Sequence, residues 1–242
     1  MDTTVGPMGS DPAAEWKRAA ARTAAAQVAD GTVVGLGSGT TAERFLEELA
    51  VRVRQGLRVT GVPTSERTRG LAAALGIPLL ALNDAPALDL SVDGADEVTL
   101  PGLALIKGRG GALLREKLVA AASQRRVIIV DTTKLVQTLG ATHPLPVEVV
   151  PFGWVQTARR LAALGLQPAR RSAPGTDQPY LTDNGDYLLD CATGPIADPA
   201  SLAQAIKALV GVVEHGLFVG MTEHVIAAGP EGVRTYDRPP VS

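Results

Sequence analysis

The sequence predicts an α/β protein: a parallel-sheet domain joined late in the chain to a second, smaller α+β domain. Two observations carry this. From Thr32 onward, short apolar runs alternate with helical patterns in the rhythm of βαβ units. Three prolines, Pro144, Pro146 and Pro151, then interrupt that rhythm before a different pattern of turns and short runs begins. With 45% hydrophobic residues over 242, the chain can bury one large core or two smaller ones.

Taken in order, residues 1–12 mix Gly, Pro, Ser and Asp without periodicity and read as a loose tail. Glu15–Ala29 is alanine-rich and suits a helix, so ordered structure is expected from residue 13. Thr32–Leu36, Arg58–Val62, Leu88–Val92 and Val127–Val130 are continuous apolar runs of the kind buried on both faces of a parallel sheet. Between them, Ala42–Val53 and Glu66–Leu75 carry apolar positions three and four apart, and Gly76 with Pro78 ends the second helix. The three prolines are expected to break regular structure across 142–151. Beyond them Gln156–Leu164 reads as a helix, Asp183-Asn184-Gly185-Asp186 as a turn inside the run Tyr180–Cys191, and Pro199–Val210 as a further helix.

Composition excludes several function classes. A net charge of -2 with dispersed basic residues gives no stripe for a phosphate backbone, so nucleic acid is not an expected partner. No run approaches the roughly 20 apolar residues that cross a bilayer, and the first residues lack the basic start of a signal peptide. The expectation is a cytoplasmic protein with no membrane partner. A single cysteine, Cys191, rules out an internal disulfide and multi-cysteine metal sites. His143, His215 and His224 lack metal-ligand spacing and read as structural or surface residues. Only five of the 23 basic residues are lysines, which draws attention to Lys107 and Lys134 inside their motifs.

Three segments carry chemistry. Gly35-Leu36-Gly37-Ser38-Gly39-Thr40-Thr41 follows a strand and opens a helix, where free amides and hydroxyls suit a phosphate. It lacks the Gly-Lys-Ser/Thr ending of a nucleotide loop and the full dinucleotide spacing, so a small phosphorylated ligand fits best. Asp93-Gly94-Ala95-Asp96-Glu97 places three carboxylates at the C-terminal end of the third strand, the edge where α/β sheets bind ligands. Crowding can separate their pKa values, although an Asx turn with solvated acids is the plain alternative. Lys107-Gly108-Arg109-Gly110-Gly111 then leads into a helix bearing Glu116. Lys107 could neutralise developing oxygen charge and Glu116 could take a proton beside a carbonyl. Taken alone, Glu116 reads more simply as a surface charge on a helix. Pro63-Thr64-Ser65 and Asp131-Thr132-Thr133-Lys134 bring hydroxyls and charge to two further strand ends.

In this order the motifs resemble those of type A ribose-5-phosphate isomerases. The likeness continues through Leu145-Pro146-Val147-Glu148-Val149, Thr182-Asp183-Asn184-Gly185 and Gly211–Phe218, and covers nearly everything after residue 15. It implies a Rossmann-like parallel-sheet domain over 13–141 and 217–242, with a smaller α+β domain inserted at 142–216. It also implies aldose-ketose isomerisation of a sugar phosphate through an enediolate, with no metal and no cofactor, in a homodimer or homotetramer. Carried over residue by residue, Glu116 is the base working between C1 and C2, Asp93 and Asp96 handle ring opening and hydroxyl contacts, and Lys107 stabilises the enediolate. Ser38, Gly39, Thr40, Thr41, Gly94, Ala95, Gly108, Arg109, Gly110 and Lys134 contact substrate, with Lys17 joining from the first helix. Three departures stand out: Ser38-Gly39-Thr40 where Thr-Gly-Ser is usual, Arg109 where glycine is usual, and Asp186 for a common asparagine. The alternative is a non-catalytic sugar-phosphate sensing domain, similar to the effector domains of some bacterial repressors. Their helix-turn-helix has no expected room before residue 30. An acyl-CoA transferase relative would need its own glutamate nucleophile and CoA site, which the motifs do not suggest.

Overall fold

A computed structural model describes residues 11–239. Residues 1–10 of the expected tail lie outside them, and its last two residues are structured. Asp11 accepts a hydrogen bond from the Ala13 amide, and Pro12 occupies the first turn of helix α1 (Pro12–Ala26). An acidic cap followed by proline is a strong helix start, which is why α1 begins and ends three residues before the alanine pattern suggested.

The alternating rhythm then appears as β1 (Thr32–Leu36), α2 (Thr40–Arg54), β2 (Val59–Pro63), α3 (Glu66–Ala74) and β3 (Leu88–Asp93). After β3 come two short strands, β4 (Glu97–Thr99) and β5 (Leu105–Ile106), then α4 (Leu113–Ala122) and β6 (Ser123–Asp131). β6 begins directly where α4 ends, four residues before the expected Val127. The chain continues through β7 (Leu135–Val136), β8 (Leu145–Val149), α5 (Trp154–Ala163), β9 (Gln167–Arg170) and β10 (Tyr187–Ala192). It closes with α6 (Pro199–Lys207), β11 (Val212–His215), β12 (Leu217–Phe218), β13 (His224–Gly229) and β14 (Gly232–Asp237).

The largest sheet has the order β14-β13-β6-β3-β1-β2, parallel throughout except for β14. Its core on one face is set by small side chains on α1. Ala20, Ala21, Ala24 and Ala25 let that helix lie close to Phe45, Leu46 and Leu49 of α2 and to Val34, Val92 and Ile129 of the sheet. The second sheet, β11-β8-β10-β9, is antiparallel and shares a core with α5 and α6 that holds Val147, Leu161, Cys191 and Ile206. Burial pushes the Cys191 thiol up to about 12, as befits an inert core residue. A third small sheet, β12-β5-β4-β7, lies under the glycine turn that follows β5.

The expected break across 142–151 is not what forms: β8 runs through Pro146. The reason is local. The neighbouring strand β11 stops at His215, opposite Val147, and the Pro146 carbonyl is met by the Gly216 amide, so no ladder donor is missing where the proline lacks one. Among the described residues no helix is long and apolar enough to cross a membrane.

Candidate active site

The site follows from strand order. From β1 the chain moves to β2 on one side and later to β3 on the other, so connections diverge at the C-terminal ends of β1 and β3 and leave a crevice. The loop 37–39 enters from β1 and Asp93 from the last position of β3. They are joined at once: Asp93 Oδ1 accepts from the Ser38 amide at 3.1 Å and the Gly94 amide at 2.7 Å. Gly37 is required by this approach, because a Cβ there would lie 2.2 Å from Asp93 Oδ1. Gly39, at φ +96, turns the chain into α2 in a conformation that other residues rarely adopt.

Lys107, immediately after β5, is buried in the same crevice. Its Nζ donates to the Gly94 carbonyl at 2.6 Å and forms ion pairs with Asp93 at 3.0 Å and Glu116 at 3.4 Å. Glu116, in the first turn of α4, is only 5% exposed, so the surface reading its sequence context favours does not hold. Burial raises its carboxyl to about 8, with Asp93 and Asp96 adding to the shift and Lys107 opposing it. Burial likewise raises Asp93, against the pull of Lys107 and the two amides. For Lys107, burial works downward but is outweighed by Asp93, Glu116 and Asp96, so it stays protonated. The site therefore holds a fixed cation beside a carboxylate whose pKa is suited to exchanging protons near neutrality. Glu116 Oε2 accepts no hydrogen bond.

A cavity of about 350 Å³ opens in front of this cluster. Of the candidate residues, all but Asp93 line it: Ser38 to Thr41 on one wall, Gly94 to Asp96 and Lys107 to Gly110 on another, with Glu116, Lys134 and Lys17 completing it. Asp93 stands behind Lys107 and lines a small pocket at the rear. Lys17 Nζ donates to Thr40 Oγ1 at 3.2 Å, which ties α1 to the phosphate-type loop. Asp131 accepts from the Thr133 amide at 3.1 Å and shapes the turn that presents Lys134.

Two expectations change in detail. Ser38 was read as a ligand hydroxyl, but its Oγ is engaged at the rear with Thr64 at 2.8 Å, Ser65 at 2.7 Å and Thr68 at 3.0 Å. Its part in the cavity wall falls to its backbone. The Thr64-Ser65 signal thus belongs to loop support, and Thr68 joins it through a Ser65 cap on α3 that the Ser-x-x-Thr spacing could have revealed. Glu97, the third carboxylate of the acidic motif, does not face the cavity. It is fully buried and accepts the amides of Gly140 at 2.6 Å, Thr142 at 2.8 Å and His143 at 2.8 Å, organising a turn 43 residues away.

Arg109 does not distort its turn. The left-handed positions are taken by Gly108 and Gly111, and Asp96 Oδ2 holds the Arg109 amide at 3.0 Å while the side chain stays exposed at the rim. His215 and His224 are buried and His143 lies on the turn that Glu97 organises, so none of the three stands in the cavity.

Comparison with known proteins places this geometry. The family model of ribose 5-phosphate isomerase A (phosphoriboisomerase A) matches residues 60–232. Ribose-5-phosphate isomerase A of Synechococcus sp. (strain JA-3-3Ab) is 56% identical over 223 residues, 91% of this chain and 96% of that protein. Its counterpart in Gloeobacter violaceus is 58% identical over 217 residues, 90% and 94% of the two chains. The structure of ribose 5-phosphate isomerase A from Methanocaldococcus jannaschii superposes with a TM-score of 0.89 at 38% identity, covering 93% of this chain and 99% of that one. A D-ribose-5-phosphate isomerase in complex with phospho-erythronic acid superposes with a TM-score of 0.90 at 36% identity, covering 93% and 98%. With a family model matched across most of its length and relatives more than half identical over at least 90% of it, this chain belongs to the ribose 5-phosphate isomerase A family.

Proposed function

We propose that the protein interconverts D-ribose 5-phosphate and D-ribulose 5-phosphate, with Glu116 moving a proton between C2 and C1. The observation that supports this most directly is the buried Lys107, held 3.4 Å from Glu116 and 3.0 Å from Asp93 at the wall of a cavity large enough for a pentose phosphate. Membership of the family and the phospho-erythronic acid complex of a relative give the substrate class.

The substrate's phosphate lies at the N-terminus of α2, where the amides of 39–41 and the cations of Lys17 and Lys134 receive it. Its reacting carbons then lie toward Glu116. After ring opening, assisted by Asp93 and Asp96, the Glu116 carboxylate removes the C2 proton of the aldose while negative charge moves onto O1. Lys107, already fixed and protonated, stabilises that oxygen without reorganising. Return of the proton to C1, with transfer of the O2 proton, gives the ketose and restores Glu116. Gly94, Ala95, Gly108 and Gly110 contribute backbone groups to the sugar, and Arg109 adds a cation at the rim.

On this reading the protein is a cytoplasmic homodimer or homotetramer, with residues 142–216 forming a smaller domain. Sedimentation of the purified protein checks the assembly. The decisive experiment is conversion of ribose 5-phosphate to ribulose 5-phosphate in EDTA. Turnover is expected. Ligand binding without turnover would replace this reading with that of a sugar-phosphate sensor.

A further inference from the structure

Glu148, in β8, is fully buried and lines neither cavity of the site. Its Oε1 accepts hydrogen bonds from Thr182 Oγ1 at 2.9 Å and Asn184 Nδ2 at 3.1 Å, both on the turn before β10. Its Oε2 has no hydrogen-bond partner. Asn184 in turn accepts from Arg115 of α4, so the carboxylate reaches that helix through the turn.

The N-cap of α4 is Ala112, which offers no side-chain acceptor, so the start of the helix depends on contacts from outside it. The turn supplies them: Arg115 donates from Nε to Asn184 Oδ1 at 3.0 Å and from Nη2 to the Asp183 carbonyl at 3.0 Å. Farther along, Lys117 Nζ donates to Glu214 Oε1 at 2.8 Å and to the His215 carbonyl at 2.6 Å. Those residues sit on β11, the strand paired with β8, where Glu214 lies opposite Glu148.

Helix geometry turns these contacts into a setting for the base. Arg115 is held by the turn before β10 and Lys117 by β11. Glu116, between them in sequence, lies about 100° around the axis from each and enters the crevice where it meets Lys107. Holding 115 and 117 fixes the rotation of α4 that aims Glu116.

We propose that Glu148 is a positioning residue for the isomerisation: with Thr182 and Asn184 it clamps the N-terminus of α4 to the second sheet and so sets Glu116 against Lys107. The proposal rests on Glu116 being the base. It takes up two sequence motifs, Leu-Pro-Val-Glu-Val at 145–149 and Thr-Asp-Asn-Gly at 182–185, that the cavity does not use.

Two variants test it. Glu148→Leu keeps roughly the side chain's size while removing Oε1, which accepts both bonds. Asn184→Ala, on an exposed turn, cuts the link to Arg115 without entering the core. Expected are a fall in kcat of about 10-fold for the first and about 3-fold for the second, with KM within about twofold, because the phosphate loop is untouched. The acidic limb of kcat/KM should move in both, since the setting of Glu116 against Lys107 changes. Unchanged kcat, a loss confined to KM, or a lower kcat with an unmoved limb would overturn the clamp. If Glu148→Leu does not fold, Asn184→Ala decides alone. Glu116→Gln is measured alongside. Near-normal turnover there removes the reading of the site itself, whereas its loss beside unaffected clamp variants removes only the clamp.

Discussion

Lys107 makes three polar contacts at once, to the Gly94 carbonyl, Asp93 and Glu116, and this sharing defines the chemistry at the scale of single residues. Because its charge is held in place, the carboxylate beside it carries the titration. Glu116→Gln keeps the shape and removes the base, so kcat should fall by roughly 10²–10⁴-fold while binding of the substrate, followed calorimetrically, persists. The pH dependence has a definite sign. The base must be ionised, burial lifts its carboxyl to about 8, and kcat/KM should therefore rise between pH 7 and 9 instead of levelling off by pH 6. A limb near the ordinary carboxylate range would show that Lys107 outweighs burial. None of this was legible from Glu116 alone, which on a one-dimensional helix pattern resembles a solvent-facing charge. Its burial comes from the crevice between β1 and β3, which the local pattern around residue 116 does not encode. The phosphate-type loop and the acidic motif were legible because glycine and hydroxyl residues at a strand end mark a backbone geometry that few other functions need.

At the scale of elements, agreement between pattern and structure follows how locally each boundary is set. β1 matches its apolar run end to end because a glycine turn closes it, while α1 starts early because of a cap the alanine pattern did not weigh. β8 could not be read past its proline, since what makes Pro146 acceptable is the end of a strand 70 residues later. Glu97 and Glu148 stand in motifs the sequence marks, but their roles were not legible for a similar reason, as their partners lie far along the chain. Gly37 makes one of the tight contacts between elements. Gly37→Ala would drive its Cβ into Asp93, at 2.2 Å from Oδ1 and 2.5 Å from Cα, so the β1 loop or the end of β3 must shift. The expected cost is about 1–3 kcal/mol in stability by chemical denaturation, with a larger loss in kcat than its stability implies.

For the whole molecule, the contact between α4 and the second sheet makes part of the stability depend on pH. Burial and the Lys117 charge hold the His215 ring down to about 4, so it stays neutral in the folded protein over a range where the unfolded chain is protonated. For Glu214, burial works upward, but the hydrogen bonds from Lys117 and Lys207 outweigh it and hold the carboxyl at about 2. In both cases the unfolded state binds more protons as pH falls, first between 6.5 and 4 for His215 and then between 4.5 and 2 for Glu214, so each of these two groups takes stability away across its own span. The raised carboxyl of Glu116 works the other way between about 8 and 4.5, because there it is the folded state that holds the extra proton. Each group can contribute on the order of 2–3 kcal/mol. The expectation is therefore a difference: between pH 7 and 4, His215→Asn should lose less stability, by chemical denaturation, than the natural chain. The order of strands has a consequence for synthesis as well. β13 pairs in parallel with β6, whose partner residues lie 97 positions earlier in the chain. Until β13 is made, β6 therefore presents an open, apolar edge that the rest of the large sheet cannot cover. A stalled or truncated product lacking β13 would be a substrate for chaperones and proteases, not a slower enzyme.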